Sequence, residues 1–195
     1  MGSILGDGYL CPNRHPEDTH LTLNSELRIT HGKKQDLYVK YKKQLLEKEG
    51  IRCHLSLLKP KKTHCINGIE VKENGTYILK TQRNVSFNFY RDLFYRPNKK
   101  LCRYLYKLNP LGLAIWYMDD GYKTTSGFVF CTDGFTFKEV EFLQKIMKHN
   151  FNLDTTIRKT RLNKPNLYVR ACSKMHFIEL VSPYICESMK YKLEL

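Results

Sequence analysis

The sequence has no C-x-x-C pair, although it contains seven cysteines. An odd number of cysteines without paired spacing argues against a disulfide framework and against a zinc ribbon. One arrangement could still offer four metal ligands, Cys53-His54 together with His64-Cys65. We interpret this stretch as two strands around Pro60 instead, because alternate residues of a strand point to opposite faces. The cysteines are therefore expected to be reduced thiols.

Long apolar runs and acidic residues are also scarce. No apolar run approaches the roughly 18 residues of a membrane-spanning helix, and no signal peptide opens the chain, so we expect a soluble protein. Asp and Glu number 19 against 33 Lys and Arg, which gives a net charge of +14. This excess favours an anionic partner, of which a nucleic acid is the simplest and a membrane surface a weaker candidate.

Two similar segments, Gly6-Asp-Gly-Tyr9 and Asp119-Asp-Gly-Tyr122, each follow an apolar stretch. Each stretch predicts a buried helix that delivers one carboxylate, Asp7 or Asp120, to its C-terminal end. Two such helices side by side would place the two carboxylates together. A carboxylate there faces the negative end of the helix dipole, which costs several tenths of a kcal/mol unless a cation compensates. The duplicated arrangement suggests a metal site.

The segment after Gly121 predicts the order hairpin, helix, hairpin, helix. Thr136-Phe-Lys-Glu139 is a capping box that opens the first of these helices. Ser173 is expected to cap the last helix. The predicted strands in this part of the chain are Gly127–Thr132, Thr155–Arg161 and Asn166–Ala171.

The first half repeats this order with longer connections. Asp36 is expected to cap a helix that runs to Glu49 and stops at Gly50. Ser86–Tyr95 is predicted to be a short helix, and the polar segment Lys61–Gly75 a connection. The predicted strands are Gly8–Pro12, Leu21–Thr30, Ile51–Lys59 and Thr76–Arg83.

The apolar stretch with its carboxylates resembles a known family signature. Leu113-Ala-Ile-Trp-Tyr-Met-Asp-Asp-Gly121, and the partial copy Met1–Gly8, are similar to the motif of the double-motif, single-chain LAGLIDADG homing endonucleases. Phe135–Glu141 and Tyr191-Lys-Leu193 extend the resemblance. It covers essentially the whole chain and is strongest from Pro110 onward.

This resemblance implies an α+β fold of two pseudo-symmetric αββαββα halves, residues 1–109 and 110–195. Their antiparallel sheets would form a DNA-binding saddle around a central pair of motif helices. The family's first motif helix normally has several residues before the position of Met1, so we expect a shortened first helix, marginal by itself. Gly2 and Gly6 place two small residues on one face, which would allow close packing against the second motif helix.

In the family, the two motif aspartates, here Asp7 and Asp120, ligate a divalent metal at the strand-cleavage sites. The backbone carbonyl one residue earlier, here that of Gly6 or Asp119, helps. Magnesium suits hard oxygen ligands and phosphate, and manganese can substitute. The resemblance implies hydrolysis of both strands with short 3′ overhangs. The alternative for each aspartate is a local turn or cap acceptor.

Two lysines also match the family's active-site pattern. Lys192 corresponds to the basic residue after the last helix, and Lys100 or its neighbour Lys99 to the one before the second motif. Each could order solvent near the nucleophile or stabilise charge in the transition state. The alternative for each lysine is an ordinary solvated surface charge.

Basic residues on the predicted strands are candidates for reading DNA, since a two-stranded ribbon fits the major groove and Arg or Lys can bond guanine. For each one alone, a solvated surface charge is the competing interpretation. The candidates are Arg28, Arg52, Lys80, Arg83, Lys123, Arg158, Lys159, Arg161 and Arg170.

The sequence therefore predicts a monomeric, site-specific endonuclease that cuts a long asymmetric double-stranded DNA target in intron mobility. The alternatives are an intron RNA-splicing maturase on the same scaffold, with its host intron RNA as partner, and a catalytically inactive DNA-binding protein. Retention of Asp7 and Asp120 together with Lys192 favours the nuclease. We expect the protein to act inside a cell, in an organelle that encodes it or in bacterial or phage cytoplasm.

Overall fold

The computed structural model describes residues 1–12, 24–58, 64–66, 69–71, 75–95 and 101–193. The helices of this part are α1 (Gly2–Leu5), α2 (Asp36–Lys48), α3 (Val85–Tyr95), α4 (Pro110–Asp120), α5 (Phe137–Phe151) and α6 (Lys174–Val181). The strands are β1 (Gly8–Cys11), β2 (Glu26–Gly32), β3 (Cys53–Leu58), β4 (His64–Ile66), β5 (Ile69–Val71), β6 (Thr76–Thr81), β7 (Gly121–Thr124), β8 (Gly127–Phe130), β9 (Thr155–Lys159) and β10 (Pro165–Val169). Within the described residues, no helix has the length and apolar character needed to cross a membrane.

The strands form two four-stranded antiparallel sheets with the same topology. One sheet has the order β1-β2-β6-β3 and the other the order β7-β8-β10-β9. Together with the helices, each sheet gives the predicted αββαββα order, so the predicted α+β class is confirmed. The prediction of a plain connection over Lys61–Gly75 was wrong, because β4 and β5 form a two-stranded ribbon there. Strands of three residues are too short to show a periodic pattern.

The chain divides into two compact units. The motif-helix unit comprises Met1–Gly6 and Tyr90–Leu195, and the second unit comprises Asp7–Phe89. The units group residues by contact, whereas the halves 1–109 and 110–195 divide the chain by its repeat. The boundary between the two halves therefore stays a prediction.

The core of the motif-helix unit surrounds α4. Six consecutive residues of this helix, Leu113–Met118, are buried, as expected for a helix that is apolar on every side. The Tyr117 ring meets Phe128, Phe130 and Phe177 edge to face, with centroid distances of 5.7, 5.4 and 5.0 Å. This aromatic cluster fixes the helix against the sheet and so fixes the position of its C-terminal end.

The core of the second unit lies between α2 and its sheet. Tyr38 and Val39 of α2 are fully buried, as are Ile29 of β2 and Leu79 of β6. β2 continues beyond the predicted end at Thr30, because the next two residues still pair with β6. This extension brings the end of β2 under the first turn of α2.

Two of the predicted helix signals are confirmed. The Thr136 side chain accepts the N–H of Glu139, and the Glu139 carboxylate accepts the N–H of Thr136, which completes the capping box. Gly50 follows α2 with φ +74°, a left-handed conformation in which glycine ends helices at no steric cost.

Two predicted caps were wrong. The Ser173 hydroxyl does not cap α6; it accepts the N–H of Asp154 at 2.8 Å. Asp36 is the first residue of α2 rather than its cap, because a 3₁₀ turn precedes the helix. Its carboxylate accepts a hydrogen bond from Lys40 one turn later, at 3.0 Å.

Candidate active site

The two motif helices, α1 and α4, pack against each other within the motif-helix unit. A Cβ atom on Gly2 would collide with the backbone oxygen of Gly112. A Cβ atom on Gly6 would lie 2.5 Å from Oδ2 of Asp119. Only glycine permits this approach at both positions, so the predicted close packing of α1 on α4 is confirmed.

Lys192 lies at the C-terminal end of α4. Its Nζ donates a hydrogen bond to the backbone oxygen of Met118 at 2.5 Å and one to that of Asp119 at 3.4 Å. Both are among the helix carbonyls that have no partner inside the helix. An ammonium group here also compensates the negative end of the helix dipole. Lys192 is therefore a cation that compensates Asp119 and Asp120 at the C-terminal end of α4.

The backbone around Lys192 is anchored as well. The Tyr117 hydroxyl donates to the Lys192 backbone oxygen at 2.7 Å. Burial raises the pKa of Tyr117 well above its usual value, and the nearby Tyr191 adds to the shift. The phenol therefore stays protonated and keeps donating this hydrogen bond through the physiological pH range.

Asp120 shares its surroundings with Cys131 and Lys192. The Cys131 N–H donates to the Asp120 backbone oxygen at 2.9 Å. Burial raises the pKa of the Cys131 thiol, the charges of Asp133 and Asp120 raise it further, and Lys192 lowers it. The charges of Asp120 and Lys192 thus act on one thiol, which stays protonated at neutral pH.

Asp7 follows Gly6 directly in the chain and belongs to the second unit. Its side chain is 39% exposed, and its Oδ2 lies 3.6 Å from Nδ1 of the buried His31. Asp7 is therefore open to solvent on one side and faces a histidine on the other. The predicted lysines Lys99 and Lys100 lie outside the described residues.

The nine predicted DNA-reading residues fall into two groups. Those within strands are Arg28 on β2, Lys80 on β6, Lys123 on β7, and Arg158 and Lys159 on β9. Those beyond strand ends are Arg52, Arg83, Arg161 and Arg170. The strand prediction was wrong for this second group, because β3 begins after Arg52 and the other ladders end before Arg83, Arg161 and Arg170. The Arg170 N–H, for example, bonds the Asp154 backbone oxygen outside the ladder.

Two of these arginines share one carboxylate. Arg28 and Arg83 each donate through Nε to the buried Glu26, and the Arg83 bond is 3.3 Å long. Burial alone would raise the pKa of Glu26, but the hydrogen bonds and charges of both arginines outweigh it and hold this pKa below its ordinary value. Glu26 therefore fixes the directions of two candidate DNA-contacting side chains.

We expect Glu26→Gln to lower the unfolding free energy at neutral pH by about 1 to 2 kcal/mol, since it removes a charged hydrogen-bond partner. For a chain of this size, that lowers Tm by several degrees. The pKa of Glu26 is lower in the folded than in the unfolded state. The stabilisation by Glu26 is therefore fully present above the unfolded-state pKa of about 4.3, and it is lost as the pH falls through the folded-state pKa.

Thermal melting between neutral pH and pH 3 checks this expectation. The variant should melt with a smaller pH dependence on the acid side than the unmodified protein. Glu47→Gln is the control, because Glu47 pairs with Lys43 on the exposed side of α2. Equal pH dependence for Glu26→Gln and the unmodified chain would contradict the assignment.

Arg158 lies over an aromatic ring. Its guanidinium carbon lies 3.5 Å from the centroid of the Tyr168 ring, a cation–π contact. The Tyr168 hydroxyl donates to the Ser126 backbone oxygen at 2.5 Å. Of the candidate base-reading residues, Arg158 is thus one whose orientation is set before DNA binds.

The family model for the LAGLIDADG DNA endonuclease family matches residues 1–177. The chain belongs to this family. The match extends over both motif helices and both four-stranded sheets. The predicted resemblance is confirmed.

Curated relatives of this LAGLIDADG protein include both nucleases and maturases. The intron-encoded endonuclease ai4 of Dictyostelium discoideum is 36% identical over 129 residues, which is 64% of this chain and 80% of that protein. The cytochrome b mRNA maturase bI2 of Saccharomyces cerevisiae is 32% identical over 208 residues, which is 98% of this chain and 45% of that protein. The chain therefore spans less than half the length of the yeast maturase.

Solved structures give the same family fold. The homing endonuclease I-WcaI bound to its DNA recognition sequence has a TM-score of 0.75 and 27% identity, covering 100% of this chain and 83% of that one. The meganuclease I-SmaMI, with 14% identity and a TM-score of 0.55, shows the shared fold alone.

Sequence reasoning missed three residues of this LAGLIDADG protein. Glu26, His31 and Lys42 are buried and polar, and all three make hydrogen bonds. The alternation of buried Leu27 and Ile29 along β2 could have placed His31 on the same inward face, whereas it assigns Glu26 to the opposite face. Nothing in the local pattern pairs His31 with Lys42, because that contact depends on how α2 packs on its sheet.

Proposed function

We propose that this protein is a site-specific homing endonuclease that hydrolyses both strands of a long asymmetric DNA target and leaves 3′ overhangs, in intron mobility. The observation that carries the proposal is the contact of α1 with α4 through Gly2 and Gly6, since each helix leads directly into one motif aspartate. Membership in the LAGLIDADG DNA endonuclease family supports it. Residues 1–109 and 110–195 are the two halves in this proposal, because each contains the same element order.

The donor atoms at the ends of the motif helices fit a hard divalent cation. Asp7 and Asp120 offer carboxylates, and Gly6 and Asp119 offer backbone oxygens, the ligand types that magnesium and manganese prefer. The partial exposure of Asp7 leaves access from solvent. When bound, such an ion would supply an activated water and stabilise the leaving 3′ oxygen.

Lys192 has two roles in this proposal. Its ammonium compensates the carbonyl end of α4 and so holds the backbone of Asp119 in place. Its positive charge at the end of α4, which carries Asp120, would also stabilise negative charge on the scissile phosphate. Lys100 or Lys99 is proposed for the corresponding role in the other half, on the family resemblance alone.

Binding of DNA rests on the basic side chains along both sheets. The +14 net charge supplies the nonspecific attraction. Arg158, fixed over Tyr168, is proposed to make a base-specific contact. Arg28 and Arg83, tied to Glu26, are proposed to contact DNA with the donor atoms that remain.

Affinity for duplex DNA should fall steeply with salt. If phosphate contacts dominate, log affinity falls with log salt by about 0.9 per phosphate neutralised, so several contacts give a slope of several units. Fluorescence anisotropy with a labelled duplex in calcium measures this slope. A slope near zero would contradict nucleic acid as the partner. One protein per duplex is expected, and a stoichiometry of two to one would contradict the single-chain arrangement.

The proposal is tested by incubating the protein with a plasmid library of randomised duplex inserts in magnesium and sequencing the cut ends. We expect enrichment of one long asymmetric sequence with staggered cuts. Random cutting, or recovery of no cut molecules, would overturn the nuclease assignment.

A maturase function is the second candidate, because the similarity to the yeast maturase bI2 covers 98% of this chain. Splicing of the host intron RNA would need the scaffold and its basic surfaces but not the motif carboxylates. Splicing that persists in a double Asp7→Asn and Asp120→Asn variant, without cleavage of DNA by the unmodified chain, would favour this function.

A further inference from the structure

A buried lysine lies behind His31 in the second unit. Lys42 on α2 is 2% exposed and His31 on β2 is 4% exposed. Lys42 Nζ lies 3.0 Å from His31 Nε2 and 4.6 Å from the centroid of the Tyr38 ring. Lysine is seldom fully buried without a specific partner, because its removal from water costs free energy.

This contact fixes the tautomer of His31. An ammonium group only donates hydrogen bonds, so Nε2 must accept and the ring proton must sit on Nδ1. Nδ1 lies 2.9 Å from Oε1 of Gln35 and 3.6 Å from Oδ2 of Asp7. Lys42 therefore turns the N–H edge of the ring towards Gln35 and the Asp7 carboxylate.

The second half of the chain has no such pair at the equivalent positions. Gly8 pairs with Ile29, and Gly121 pairs with Phe130, which aligns β2 with β8. In this alignment Thr132 corresponds to His31, and Leu143 of α5 corresponds to Lys42. Thr132 and Leu143 are buried as well, but they offer a hydroxyl and an isobutyl group. The two halves therefore differ in the residues at these equivalent positions.

We propose that Lys42, acting through His31, is a positioning residue for Asp7 and not for Asp120. The proposal rests on the nuclease function proposed above. Lys42 holds the His31 ring in one tautomer and orientation, in which the ring N–H donates to Gln35 Oε1 and the same ring edge lies 3.6 Å from Asp7 Oδ2. The positive N–H edge of the ring attracts the Asp7 carboxylate and so favours a productive direction of that side chain. Outer partners that orient a metal-binding carboxylate are commonly worth about 10- to 100-fold in activity or metal affinity.

Strand-resolved cleavage tests this role. On a duplex recovered from the library selection, with a different dye on each strand, Lys42→Met should slow one strand by about 10- to 100-fold. The slowed strand should be the one lost in Asp7→Asn, and cleavage of the other should be unchanged. Leu143→Met, at the equivalent position of the second half, is the matched control and should slow neither strand. Equal slowing of both strands, or of neither, would overturn the proposal.

A double variant distinguishes loss of the positioning role from a folding defect. His31→Phe with Lys42→Met replaces the buried polar pair by apolar side chains, a change that is often neutral or stabilising. It should melt like the unmodified protein, bind the duplex in calcium with equal affinity, and show the same one-strand defect. Normal cleavage of both strands by this folded variant would contradict the proposal.

Nitrogen NMR of the histidine rings gives a readout without DNA or activity. In the ¹⁵N-labelled unmodified chain, His31 should show a protonated Nδ1 and an unprotonated Nε2, and Asp7→Asn should shift the Nδ1 signal. In the Lys42→Met background, Asp7→Asn should no longer shift it. A protonated Nε2, or the same Asp7→Asn shift in both backgrounds, would overturn the positioning role. If the library yields no cut molecules, the nuclease proposal fails while this spectrum still tests the linkage of Lys42, His31 and Asp7.

Discussion

Asp7→Asn and Asp120→Asn are each expected to reduce double-strand cleavage by more than about 100-fold, since even outer partners of a metal ligand are worth about 10- to 100-fold. Asparagine keeps the size of aspartate but removes the charge that would bind the metal. Affinity for DNA should stay equal or rise, because one carboxylate no longer repels phosphate. Both variants should fold, because asparagine suits turns and helix ends.

The two variants should not be equivalent. Lys192 lies beside the helix end that carries Asp120, whereas Asp7 faces the buried His31. We expect Asp120→Asn to leave the lower residual nicking activity. Asp36→Asn is the control for Asp7→Asn, and Asp133→Asn is the control for Asp120→Asn. Each control removes one carboxylate from the same unit as its motif aspartate but leaves the motif unchanged. Near-normal double-strand breakage by either motif variant would make that aspartate a structural cap.

Removal of divalent metal should reduce cleavage to background. The motif carboxylates and backbone oxygens offer hard donors without a nucleophile of their own, so hydrolysis of a phosphodiester would need the activated water that a cation supplies. Magnesium or manganese should restore cleavage after chelation. Calcium should permit binding but support little turnover, because its looser coordination holds the water poorly.

Cleavage kinetics in excess chelator and after back-titration with each metal measure this dependence. DNA affinity in chelator is the control, since binding through lysine and arginine needs no metal. Undiminished cleavage in excess chelator would contradict the metal-dependent mechanism and leave the carboxylates without their proposed role.

The sequence alone was sufficient to predict those elements of the fold whose signals lie within a few neighbouring residues. The apolar run Leu113–Met118, the Thr136 capping box and the stop at Gly50 are all reproduced, because each depends on residues close in sequence. Gly2 and Gly6 were assigned to a helix contact on size alone, and the contact is there. Helical periodicity and turn preferences depend on neighbouring residues, so they can be recognised in a single sequence.

Long-range contacts could not be predicted in the same way. The Ser173 hydroxyl bonds Asp154 rather than its own helix, and Lys42 meets His31 only because α2 packs on its sheet. Sharing of Glu26 by two arginines likewise needs the pairing of β2 with β6. Ser173 and Asp154 are 19 positions apart, Lys42 and His31 are 11 apart, and Arg83 and Glu26 are 57 apart. At such separations several partners are chemically equivalent.

Strand-resolved cleavage by the two motif variants tests whether each aspartate at the end of a motif helix serves the cleavage of one strand. On a duplex with a different dye on each strand, Asp7→Asn should lose cleavage of one strand and Asp120→Asn cleavage of the other. Loss of the same strand in both variants, or continued cleavage of both strands in either variant, would contradict the claim.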